Sequence, residues 1–155
     1  MSLSARNGYL VTQVQTASPQ KLQLMLLDAA IRSAQRGRLL RQDHRDQDSL
    51  QSILHAQAVV TELLAGIDRQ QGGDLAEQVS AIYNFIFQRL VQAGRRNADP
   101  ASLDDAIRVL EIERETWRQL CDQLAGAGRA FIPAPHKMQV DAFEAMPQNG
   151  FSIEA

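Results

Sequence analysis

Apolar side chains recur at intervals of three and four along most of this chain, broken by polar clusters roughly every twenty residues. That is the period of helices which bury one face. In the stretch TASPQKLQLMLLDAAI, Ser18 is a strong N-cap and Pro19 suits the first helical position, where a missing N–H costs nothing. A first helix is expected from Pro19 to Gln42, ended by the polar run Asp43 to Asp48. Leu50, Ile53, Gln57, Val60, Leu64 and Ile67 follow a 3-4-3-4-3 spacing in a second helix, the seam of a helix packed at a shallow angle. Asp68 to Gly73 reads as a turn, and Asp74 can open a third helix, where a carboxylate complements the dipole. Its main stripe is Leu75, Val79, Ile82, Ile86, Leu90 and Ala93, with Tyr83, Phe87 and Val91 as a shoulder. A fourth helix begins at Asp99-Pro100, carries Leu103, Ala106, Ile107, Leu110, Trp117, Leu120, Cys121 and Leu124, and stops at Gly126 to Gly128.

Short connections between helices of matched length predict an all-α, antiparallel up-down-up-down four-helix bundle. The expected organisation is an N-terminal arm over residues 1–17, the bundle over 18–125 and a C-terminal extension over 126–155. That extension holds Pro133, Pro135 and Pro147 but also Phe131, Ile132, Met138, Phe143, Met146, Phe151 and Ile153. It can dock on apolar surface or remain a loose tail.

The first helix carries more apolar surface than one seam needs. Leu22, Met25, Leu26 and Ala29 fall on one side, while Leu24, Leu27, Ile31 and Ala34 fall nearly opposite. The first set is expected in the core together with Ile82 and Ile86, and the second set on a surface open to a partner. The shoulder of the third helix is surplus in the same way.

Composition narrows the function. The chain has 155 residues, 45% hydrophobic and 22% charged, and a formal net charge of −2. No block of basic residues offers the concentrated positive face that nucleic acid requires. The single cysteine, Cys121, excludes an intrachain disulfide framework and suits a reducing compartment. Neither a signal-peptide pattern nor a run of about eighteen apolar residues is present, so a cytoplasmic protein without membrane insertion is expected. Catalytic constellations are missing too. His44, His55 and His136 are dispersed, no Glu-x-x-His pair occurs, and no CxxC, HExxH or phosphate-binding loop is found. No enzyme activity, metal or cofactor is expected.

Tyr9, Gln13-Val14, Thr16 to Pro19, Lys21-Leu22, Met25-Leu26 and Asp28-x-Ala30-Ile31 resemble the opening of the FliS family, cytoplasmic export chaperones for flagellin. So do Gly72 to Ala76, Tyr83 with the following Asn-Phe-Ile, Arg89-Leu90-Val91-x-Ala93, and Arg114 to Trp117. The resemblance spans roughly residues 9 to 120 and excludes the tail. It implies a helical bundle that binds the C-terminal helical segment of new flagellin, prevents premature polymerisation and delivers it to the export apparatus. Partner contacts are then expected from Tyr9, Leu10 and Val14 of the arm, from Leu24, Leu27 and Ile31, and from Tyr83, Phe87 and Val91. Leu27 and Ala29 stand where the family usually has Tyr and Gly, and Asn84 where it often has Asp. These departures keep apolar character but remove polar partners. The alternative is an adaptor or regulatory bundle for another amphipathic helix, with a homodimer as one assembly.

Overall fold

The computed structural model describes residues 18–127. They form four helices: α1 (Pro19–Gln42), α2 (Asp46–Ala65), α3 (Arg69–Ala93) and α4 (Pro100–Ala127). Ser18 Oγ accepts from the Lys21 N–H at 3.2 Å and starts α1 as expected. The Asp68 carboxylate accepts from Gln70 N–H at 3.0 Å and Gln71 N–H at 3.1 Å, and Asp99 accepts from Ala101 N–H at 2.9 Å. Each satisfies backbone donors that a helix N-terminus leaves unpaired.

Two boundaries differ from expectation. The polar run after α1 is a turn only over residues 43–45, and Asp46 and Asp48 lie in the first turn of α2, where their charge suits the dipole. Asp68 to Gly73 is not a simple turn either. Asp68 caps a single helical turn before Gly73, which has φ 51° and ψ −133°, breaks the helix and lets the long part of α3 restart at Asp74. That backbone region is open to glycine and closed to other residues.

Cross-helix pairs fix the topology. Ser33 meets His55 and Gly37 meets Ser49 between α1 and α2. Asp28 faces Arg114, Gln35 faces Glu111, and Arg38 faces Asp104 between α1 and α4. In both cases one number rises as the other falls, so the helices run antiparallel. Across the diagonal, Gln23 bonds Tyr83 and Arg41 bonds the Ala93 carbonyl; here both numbers rise, so α1 and α3 are parallel. The result is an up-down-up-down bundle in which α1 lies between α2 and α4.

The α1–α2 crossing is tight because residue 37 has no side chain. A Cβ there would lie 2.9 Å from Ile53 Cγ1, and the Gly37 carbonyl accepts from Ser49 Oγ at 2.7 Å.

The two stripes of α1 exchange the roles expected of them. Leu27, Ile31 and Ala34 of the second set are sealed in the core together with Ala30, Leu24 of that set is half-buried, and Leu22, Met25, Leu26 and Ala29 are only half-buried. Tyr83, expected on a shoulder, is wholly buried, and Ile82, expected inside, is half-buried. The partner-facing assignment of Leu27, Ile31 and Tyr83 is therefore corrected: all three pack inside the bundle. The reason lies in residues that an apolar count passes over. Gln20, Gln23 and Gly37 are buried in register with Leu27, Ala30 and Ala34, so the true seam of α1 is longer than its greasy part.

Candidate partner-binding surfaces

The half-buried stripe of α1 opens onto a cleft at one end of the bundle. Pro19, Gln20, Leu22, Gln23 and Leu26 of α1, Glu62, Ala65 and Gly66 at the end of α2, and Trp117 of α4 surround a volume of about 340 Å³. Most of its lining is apolar, with Gln20, Gln23 and Glu62 as the polar members. Ala65 and Gly66 leave room because neither fills the corner where α2 stops.

The base of this end of the bundle is polar. Gln23 Nε2 donates to Tyr83 Oη at 2.6 Å, and Glu113 lies close enough to bear electrostatically on Tyr83. Gln20, Gln23, Tyr83, Glu113 and Trp117 are all buried. Burial lifts the Glu113 carboxyl from 4.5 to about 7, since a low-dielectric site disfavours the charged form. Burial, and then the neighbouring Glu113, raise the Tyr83 phenol far above its usual value. Tyr83 therefore keeps its proton. A buried amide with a hydroxyl partner holds α1 and α3 at one lateral position, which apolar contacts alone do not specify.

A second apolar strip runs along α2 and α3. A Cβ on Gly94 would sit 3.4 Å from Leu50 Cδ1, so the start of α2 lies beside the end of α3. One turn along from that contact lie Leu54 on α2 and Val91 on α3. Leu50, Leu54 and Val91 are 38%, 50% and 38% exposed, and Phe87 is half-buried against the core. Phe85, on another face of α3, lies under the Arg89 guanidinium, 5.6 Å from ring centroid to carbon. Arg89 in turn pairs with Asp105 of α4.

Of the residues expected to meet a partner, Leu24 is half-buried on α1, and Phe87 and Val91 share the α2–α3 strip. Tyr9, Leu10 and Val14 fall outside the described residues. The structure does not gather Leu24 with Phe87 and Val91, because α1 and α3 are diagonal. Leu22, Leu26, Leu50, Leu54 and Trp117 were not read as surface-lining from the sequence. The signal that could have found them is the glutamine pair at 20 and 23, which extends the seam and turns Leu22 and Leu26 outward.

Among the described residues, no group of His, Cys, Asp and Glu could hold a metal ion, and no helix is long and apolar enough to cross a membrane. The Ser33–His55 hydrogen bond of 2.6 Å is an α1–α2 tie near the surface.

Four helices in up-down-up-down order, with a sealed core and two partly exposed apolar faces, define a helical bundle. The family model described as flagellar protein FliS matches residues 1–124. The flagellar secretion chaperone FliS of Salmonella typhimurium is 31% identical over 108 residues, 69% of this chain and 79% of that protein. The Vibrio cholerae chaperone of the same name is 28% identical over 109 residues, 70% of this chain and 79% of its own length. The Pseudomonas aeruginosa chaperone FliSB is 31% identical over 107 residues, covering 68% and 82%. This chain belongs to the FliS family of flagellar secretion chaperones, which is not a family of enzymes.

Proposed function

We propose that this protein is a cytoplasmic chaperone that binds the C-terminal helical segment of flagellin, keeps it from polymerising early and presents it to the export apparatus. The observation that carries the reading is the open apolar face of α1 over the cleft formed by Leu22, Leu26, Ala65 and Trp117. An amphipathic helix laid there, and along Leu54, Phe87 and Val91, buries side chains worth about 1.5 to 3 kcal/mol each. Folding of a disordered partner on binding offsets roughly 2 to 5 kcal/mol of this, so several such contacts are needed. Leu24, on the other flank of α1, and Tyr9, Leu10 and Val14 of the N-terminal arm complete the contact set.

Calorimetric titration with a flagellin C-terminal peptide tests the reading. Binding in the micromolar range or tighter is expected, lost in Leu26→Glu and weakened in Val91→Glu with helicity retained. No heat at tens of micromolar would leave the bundle as an adaptor for a different helix.

A further inference from the structure

The family match ends at residue 124, yet the chain continues to Ala155, and the geometry of the bundle says where that continuation begins. Because α4 is antiparallel to α1, its C-terminal end lies beside the start of α1. Cys121 of α4 feels the charge of Lys21, one turn from the cleft wall at Leu22. Ten helical residues, about 15 Å, separate Trp117 on the cleft from Ala127 at the end of α4. The ten residues 128–137 can span about 33 Å when extended, so the following segment reaches back to the cleft without strain.

That following segment has the right chemistry. Pro135 precedes and Pro147 follows the stretch HKMQVDAFEAM, residues 136–146, in which Met138, Ala142, Phe143 and Met146 share helical spacing. At that spacing Asp141 and Glu144 fall opposite, while Gln139 falls among the apolar positions. The cleft mouth lies at the N-terminal end of α1, with Lys21 beside it, a positive dipole end that favours Asp141 and Glu144. Glu62 is the opposing charge on the rim.

We propose that the C-terminal extension folds back and seats Phe143 and Met146 in the α1–α2–α4 cleft over Trp117, so that the chain occupies its own binding surface in the absence of a partner. The extension is then an internal competitor. It shields Leu22 and Leu26 from self-association and raises the threshold that an incoming helix must exceed.

Trp117 is the only tryptophan in the chain, so its emission reports on the cleft directly and no flagellin is required. The full-length protein is compared with a full-length Phe143→Glu, Met146→Glu variant. The variant's emission should shift to longer wavelength with unchanged far-ultraviolet dichroism. A synthetic peptide of residues 128–155 added to the variant should reverse the shift saturably, and a peptide bearing the same two substitutions should not. In a separate arm, Leu26→Glu in the full chain should speed tryptic cleavage at Lys137 severalfold. Identical emission together with unchanged cleavage overturns the proposal. So does a shift produced by Leu10→Glu and not by the tail variant, which would give the cleft to the N-terminal arm. Because the readouts do not involve flagellin, failure to bind flagellin leaves them intact.

Discussion

Gln23 on α1 donates its side-chain amide to the buried hydroxyl of Tyr83 on α3 at 2.6 Å, across the diagonal of the bundle. Adjacent helices in a bundle are held by many interchangeable apolar contacts. A diagonal polar contact is directional, so together with the Arg41–Ala93 bond it limits how far α1 can slide along α3. The cleft between α1, α2 and Trp117 depends on that setting.

Tyr83→Phe removes the acceptor and leaves a buried amide unpaired, at a cost of about 1 to 3 kcal/mol. Urea unfolding should show a lower midpoint with an unchanged slope. Adding Gln23→Leu should restore part of the loss, because it removes the amide left without an acceptor, while the Trp117 indole still lacks the Tyr83 hydroxyl it bonds. A fully additive double variant would mean that the two groups do not interact.

Glu113 makes stability depend on pH in the direction opposite to an ordinary surface carboxylate. Its carboxyl holds a proton more tightly in the folded chain, where it titrates near 7, than in the unfolded chain, near 4.5. Between those values the folded state binds more protons, so stability falls as pH rises. It should be highest below pH 4.5 as far as this group is concerned, and lower by about 3 kcal/mol above pH 7. Glu113→Gln should flatten this part of the profile and be the more stable protein at pH 8. A thermal-unfolding series across pH 4 to 8 measures both.

Gly37→Ala should destabilise the fold although alanine is the better helix former by about 1 kcal/mol. The added methyl would meet Ile53 Cγ1 at 2.9 Å and the Ser49 carbonyl at 3.3 Å. Forcing α1 from α2 costs about 1 to 3 kcal/mol and strains the Ser49–Gly37 hydrogen bond. A raised melting temperature would show that the crossing can relax freely.

Leu27→Glu and Leu26→Glu, one residue apart, should separate folding from binding. Leu27 has no exposed surface, so an unpaired charge there should abolish cooperative unfolding altogether. Leu26 lines the cleft, so its substitution should keep the dichroism spectrum and lose the partner. The reverse outcome would restore the original assignment of the two stripes.

Capping residues and proline made the starts of α1 and α4 readable from sequence, since those signals act within one turn. Gly72 and Gly73 marked a break, but not that Asp68 would cap a helical turn before it. The core of α4 was legible because Leu103, Ala106, Ile107, Leu110, Trp117 and Leu120 form one clear stripe. On α1 the choice between two stripes was not legible, and the apolar count chose the wrong one.

What the sequence determined by itself is the helical period, the number of helices and the family, because each rests on local spacing or on matched motifs. Which side of α1 faces inward was decided only in the folded bundle. Burial there is settled by what stands opposite: Tyr83 gives Gln23 a partner, and Ile53 and Ser49 need the space at Gly37. A residue's own polarity says how much it gains by leaving water, but its neighbours across the core decide whether it does.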